Sequence, residues 1–153
     1  MSTLSGWVAL KGKTVLASGV FDLIHPGHLA FLKRAKEIGG PEARLIVIVA
    51  RDSTVEKLKG RRPVIPEEQR RILVEGLKPV DQAVLGSENL DVEGFLEKFK
   101  PDIVAVGYDQ DRIEAQVRKI IEERNLPIQV VKIEKFGPEG LNSSTKLKRL
   151  VAQ

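Results

Sequence analysis

The sequence predicts an α/β fold, in which a doubly wound parallel sheet of five strands carries helices on both faces. Short β-rich apolar segments alternate with segments of helical periodicity along the chain. Several of the apolar segments lack a polar face, as is typical of strands buried in a parallel sheet. Such alternation requires crossover connections, which place helices on both faces of the sheet.

The first predicted unit is a strand, a loop and a helix. The strand is TVLAS, which begins at Thr14, and the helix begins near Pro26. The apolar residues of this helix recur at the spacing of one helical face: Leu29, Leu32, Ala35 and Ile38. Residues 1–13, which precede the strand, are expected to form a short leader.

The later elements repeat this alternation. Further strands are predicted at RLIVIVA (44–50), QAVLG (82–86), DIVAVG (102–107) and IQVVKI (128–133). Helices are predicted at 66–77, 90–99 and 110–125, the first of them with Pro66 in its first turn and acids directly behind it. Together these elements predict a Rossmann-like sheet, and the length of 153 residues fits a single domain, 1–153.

Unusual polar stretches follow four of the predicted strands. They are SGVFDLIHPGH, ARDSTVEKLKGRR, GYDQ and EGLNSST. Because ligands of such sheets bind at the carboxyl ends of the strands, near the point where the strand order reverses, we expect these stretches to form one site.

Composition excludes several classes of function. The chain has no Cys, which rules out a disulfide framework, a thiolate metal site and a cysteine nucleophile. No apolar segment is long enough to span a bilayer and no secretory signal is present, so a cytoplasmic protein without a membrane partner is expected. The 25 Lys and Arg are interleaved with 21 Asp and Glu, which argues against a nucleic-acid partner.

The only two histidines, His25 and His28, lie at the predicted start of the first helix. Their spacing directs both rings to one side of the helix, whose N-terminus offers amide donors and a positive partial charge to a phosphate. Gly19 and Gly27 would let the backbone and a nucleotide approach closely. Two other interpretations are a zinc site, whose third ligand would have to be a carboxylate such as Asp22, and histidines that only cap or pack.

The segment GVFDLIHPGH, Gly19 to His28, resembles the signature G-x-F-D-x-x-H-x-G-H of the H-x-G-H nucleotidyltransferase superfamily and matches every fixed position. Val20 stands where Thr is common. The resemblance implies an enzyme in which His25 and His28 contact the phosphates of a nucleoside triphosphate and stabilise the transition state at the α-phosphorus. It implies no covalent intermediate.

The resemblance extends over most of the chain and implies further roles. Residues 50–81 resemble a family stretch in which Lys57 and Lys59 would hold the acceptor phosphate or the triphosphate and Arg70 would grip pyrophosphate. The implied nucleotide-binding residues are Gly19, Val20, Phe21, Asp22, Gly27, Gly107, Tyr108, Asp109, Ser143, Ser144 and Thr145. No protein metal site is implied, and Mg²⁺ would enter with ATP.

Within the superfamily the sequence is similar to the archaeal FAD synthases, through segments such as IVIVARDSTVEKLKG and RPVIPEEQRR. This similarity implies ATP and FMN as substrates, FAD and pyrophosphate as products, and a homodimer. Phe21, Phe136 or Tyr108 would help to form an apolar slot for the flavin. The alternatives are a glycerol-3-phosphate cytidylyltransferase that uses CTP, a sugar-phosphate adenylyltransferase, and a module that senses ATP without turnover.

Overall fold

The computed structural model describes residues 12–89 and 91–135. The strands in these ranges are β1 (Thr14–Gly19), β2 (Arg44–Val49), β3 (Gln82–Leu85), β4 (Ile103–Gly107) and β5 (Gln129–Ile133). The helices are α1 (Pro26–Ile38), α2 (Asp52–Lys59), α3 (Glu67–Glu75), α4 (Val92–Phe99) and α5 (Asp111–Arg124). None of the helices in these ranges combines the length and the apolar character needed to cross a bilayer.

The strands form one sheet in the order β3-β2-β1-β4-β5, and all neighbouring pairs are parallel. In register, Val15 of the central strand pairs with Leu45 on one side and Ile103 on the other. The strand order reverses between β1 and β4, which opens a crevice at the carboxyl ends of these two strands. The predicted Rossmann-like parallel sheet is confirmed.

Apolar residues cover both faces of the sheet. Because successive side chains of a strand point to opposite faces, Val15 and Ala17 belong to one core cluster and Leu16 belongs to the other. Leu32 of α1 packs in the first cluster and Val117 of α5 in the second. This division explains why the strands are apolar throughout rather than alternating, and it confirms helices on both faces.

Helix α2 is absent from the predicted elements. It buries Thr54 and Val55. Its C-cap is Gly60, whose φ of 76° is left-handed and therefore suits glycine. Asp52 in the first turn and the lysines in the last turn complement the helix dipole. The helix after it also starts slightly later than predicted, because Pro66 caps α3 instead of occupying its first turn.

Candidate active site

A cavity of about 500 Å³ opens at the carboxyl ends of the central strands. Its wall includes the loop after β1, with His25 and His28, and the turn after β4, with Tyr108. Helices α4 and α5 close it on one side of the sheet. Its volume lies within the range of small-molecule sites, and its place in the fold is the crevice at the strand-order reversal.

The two histidines cap helix α1 reciprocally. His25 Nδ1 accepts a hydrogen bond from Gly27 N at 3.1 Å, and His28 Nδ1 accepts one from His25 N at 3.2 Å. The rings stack with their centroids 3.8 Å apart. Since an accepting nitrogen carries no proton, each neutral ring holds its proton on Nε2. Both rings line the cavity, so capping uses one nitrogen and leaves the other as a donor for a ligand.

Burial keeps both imidazoles neutral. Burial is the main cause that lowers the pKa of His28 to about 4, and the nearby His25 also lowers it, while Asp22 acts in the opposite direction. Burial also lowers the pKa of His25. At neutral pH the site therefore presents two neutral N–H donors rather than imidazolium cations.

The lowered pKa of His28 predicts a loss of stability in acid. Between pH 6.5 and about 4 the unfolded chain binds a proton at this position that the folded chain does not bind, so this contribution is present above pH 6.5 and is lost as the pH falls. From pH 7 to pH 5, we expect the difference in the free energy of unfolding between wild type and His28→Asn to change by about 1–2 kcal/mol. Asn keeps an acceptor near the position of Nδ1 but does not titrate. Urea unfolding at both pH values measures the change, and parallel pH profiles for the two proteins would contradict it.

Asp22 fixes the segment that precedes α3. Its side chain is 2% exposed, and its carboxylate oxygens accept hydrogen bonds from Val64 N and Ile65 N, both at 2.9 Å. A carboxylate so engaged is a poor candidate for the third ligand of a zinc site. In the described ranges, no group of three or more possible metal-ligating side chains comes together.

The structure buries Arg70, the residue that was predicted to grip pyrophosphate. The side chain is 0% exposed. Its guanidinium donates to Val20 O, Ala50 O and Ile65 O at 2.7–2.8 Å, and to the carboxylate of Asp52 at 2.7 Å. These contacts commit Arg70 to the segments that follow β1 and β2 and to the one before α3. Arg70 is not part of the cavity wall formed by the described residues.

The predicted lysine pair separates on α2. Lys59 lines the cavity, whereas Lys57 belongs to the exposed surface and is not part of the cavity wall formed by the described residues. Residues two apart on a helix point in nearly opposite directions, which explains the separation. The prediction that Lys57 holds a phosphate is thus not supported by its position.

The loop after β1 approaches itself closely. Phe21 has a left-handed φ of 54°, and its ring lies against Gly19, where a Cβ atom would be only 2.8 Å from ring atom Cε2. The ring centroid is 5.4 Å from that of His28. Gly19 is thus needed for this approach. Phe21 is only 3% exposed, and the contact between the two rings supports His28. Val20 and Gly27 line the cavity, as does Phe21 itself.

The turn after β4 forms a further part of the cavity wall. The cavity is lined here by Gly107, Tyr108 and Asp109, and Tyr108 is 43% exposed. Gln110 ties the diverging strands together, because its Oε1 accepts from Gly107 N at 2.7 Å and its Nε2 donates to Ser18 O at 3.0 Å.

Two residues of this wall were missed in the predicted site. Gln110 bridges strand ends, and Lys135 lines the cavity with its ammonium 5.5 Å from the Tyr108 ring centroid, within cation–π range. The available signals were the position of Gln110 at the end of GYDQ and that of Lys135 two residues beyond the last strand. The predicted residues Ser143, Ser144, Thr145 and Phe136 lie outside the described residues.

The chain is similar to a family of transferases and to curated FAD synthases. Residues 16–150 match the family model described as cytidylyltransferase-like. The FAD synthase of Methanothermus fervidus is 49% identical over 138 residues, which cover 90% of this chain and 94% of that protein. The FAD synthase of Methanopyrus kandleri is 46% identical over 142 residues, 93% of each chain. Among solved structures, the lipopolysaccharide core biosynthesis protein of Thermoplasma volcanium superposes with a TM-score of 0.73 at 39% identity, over 82% of this chain and 99% of that one.

Proposed function

Since this chain belongs to the cytidylyltransferase-like family, we propose that it is a nucleotidyltransferase that makes FAD, by transferring AMP from ATP to FMN with release of pyrophosphate. The observation that carries the proposal is the 49% identity to an FAD synthase over 94% of that protein. The site supports the proposal, because its cavity is lined by the neutral donors His25 and His28, by Lys59 and by apolar residues.

The reaction needs placement and charge stabilisation more than proton transfer. A phosphate oxygen of FMN attacks the α-phosphorus of ATP, a new P–O bond forms, and the bond between the α-phosphorus and the oxygen that bridges to the β-phosphorus breaks. Pyrophosphate then leaves. His25 and His28 donate from Nε2 to the oxygens of the α-phosphate, and they are already oriented by their caps before substrate arrives.

The remaining residues of the wall position the two substrates. Lys59 neutralises the triphosphate or the phosphate of FMN, and the positive end of α1 faces the same charge. Tyr108 stacks on the adenine, with Lys135 on its ring. Gly107 and Asp109 complete this wall. On the strength of the motif resemblance, we propose additional hydrogen-bond donors to the phosphates in Ser143, Ser144 and Thr145.

Magnesium is proposed to enter as part of the substrate. Mg²⁺ in phosphoryl and nucleotidyl transfer is commonly bound by substrate phosphates and water with few protein ligands. The cavity offers donors and cations for the phosphates, and the carboxylate of Asp109 lies in its wall. A homodimer in the cytoplasm stays a prediction from the family resemblance, and light scattering measures the oligomeric state directly.

The assignment is tested by incubating the purified protein with Mg²⁺, ATP and FMN and separating the products by chromatography. We expect FAD and pyrophosphate in equal amounts. Parallel mixtures hold CTP with glycerol-3-phosphate, and ATP with sugar phosphates. Product in one of these but no FAD would replace the proposal with the corresponding transferase. Calorimetric binding of ATP with no pyrophosphate from any acceptor would indicate a sensor.

A further inference from the structure

We propose that the apolar end of the cavity, between the sheet and α4, binds the isoalloxazine ring of FMN and that Phe95 is the residue that selects it. The inference rests on the proposed function and adds to it the place and the chemistry of acceptor recognition. The α4 chamber, as we name this end, is formed by Leu16, Ile48, Val92, Phe95, Leu96 and Val104.

The α4 chamber is apolar because it is continuous with the core. Leu16 and Val104 come from the central strands β1 and β4, and Leu96 comes from α4. All three are buried members of the second core cluster. A ligand group held against them exchanges water for a hydrophobic surface, which favours an aromatic ring system and disfavours a polyol or a sugar.

Phe95 gives the chamber a flat and oriented wall. Its ring is almost parallel to that of Phe99 one turn later, with an interplanar angle of 4° and centroids 6.2 Å apart. Phe99 packs against the second core cluster, while Phe95 lines the cavity. The N-terminus of α4 is fixed by Asp91, whose carboxylate accepts from Gly94 N at 2.9 Å. A planar wall that is oriented before binding suits a planar ligand.

The distribution of polar groups decides which of the two ring systems enters the chamber. Adenine has polar edges that need hydrogen-bond partners, and the part of the wall that follows β4 and β5, with Tyr108, Gln110 and Lys135, supplies polar groups and a stacking face. The dimethylbenzene edge of isoalloxazine has no polar atoms and matches the α4 chamber. Both ends open into one cavity with the histidines, so the phosphate of FMN can reach the donors that hold the α-phosphate.

This chamber also separates the candidate acceptors on physical grounds. Glycerol-3-phosphate and sugar phosphates carry hydroxyl groups along their length, and burial of hydroxyls without partners costs free energy. FMN is the acceptor among those considered that has a large aromatic ring system with an apolar edge to place there. The sequence pattern of α4 did not reveal this role, since Phe95 fits the apolar face of an amphipathic helix equally well.

The test compares Michaelis constants for the two substrates in Phe95→Ala. We expect the KM for FMN to rise about tenfold or more, from the loss of one aromatic contact and its buried area, while the KM for ATP is unchanged. Tyr108→Leu is the reciprocal control. Tyr108 lies outside the α4 chamber and is proposed to stack on the adenine, so its replacement should raise the KM for ATP and not that for FMN.

Two measurements keep the outcome decisive. A rise in the KM for ATP alone in Phe95→Ala, or no change in either constant, would overturn the chamber while leaving FAD synthesis established. Absence of FAD from wild type would instead refute the proposed function. If Phe95→Ala does not fold, as judged by circular dichroism, inhibition of wild type by lumiflavin decides. This molecule is the isoalloxazine ring with a methyl group in place of the ribityl phosphate. It should compete with FMN and not with ATP, and failure to compete with FMN would refute the chamber.

Discussion

Replacement of Arg70 by methionine is expected to lower the free energy of unfolding by about 3–5 kcal/mol. Methionine retains much of the aliphatic length but has no donors, so the carbonyls of Val20, Ala50 and Ile65 and the carboxylate of Asp52 lose their partner in a buried setting. The measurement is urea unfolding followed by circular dichroism at pH 7.

The neighbouring arginine is a matched control. Arg71 lies on the same helix but pairs with the exposed carboxylates of Glu68 and Glu75, and its hydrogen bond to Ala83 O is long, at 3.4 Å. Arg71→Met should therefore cost less than about 1 kcal/mol. Equal costs for the two variants would refute the stabilising role of Arg70. If Arg70→Met were as stable as wild type but had lost turnover, that result would favour the predicted contact of Arg70 with pyrophosphate.

Replacement of His28 by alanine is expected to lower kcat/KM by about 100- to 1,000-fold, the effect of removing one preorganised donor to developing charge. The Nε2–H of His28 is fixed before substrate binds, because its Nδ1 accepts from His25 N. The measurement is the initial rate of pyrophosphate release over a range of ATP concentrations.

Two conservative variants separate the donor from the cap. His28→Asn keeps an acceptor near Nδ1 and loses the donor at Nε2, so its activity should fall as in His28→Ala while its stability at pH 7 is largely kept. His28→Gln places an amide donor near Nε2, and part of the activity should return. Full activity in His28→Asn would remove the Nε2 donor from the mechanism.

The fold could be predicted from the sequence because its signals are local. Strand β2 is an unbroken apolar segment, and α1 has apolar residues at helical spacing. The histidine pair is local as well, since three residues of one helix determine its geometry. Helix α2 was missed because it is short and strongly charged, although Gly60 directly after it is a recognisable stop signal.

The features of the site that the sequence could not reveal are contacts between residues that are distant along the chain. Arg70 reaches Val20 and Ala50, which are 50 and 20 residues away, and a pattern of charges near a phosphate motif does not contain that information. Lys57 and Lys59 could be separated only once α2 was known. Phe95 shows a different limit, because helical periodicity distinguishes an apolar face from a polar one but not a core contact from a cavity wall.

On the proposed mechanism, the reciprocal cap of α1 couples catalysis to local folding. Fraying of the first turn would break the bonds at Gly27 N and His25 N and, in the same event, release both imidazoles from their orientation. We therefore expect a population with this turn open to be inactive even when the sheet is intact. The opening of a single helical turn, as well as global unfolding, would then limit the temperature and acidity at which the enzyme works.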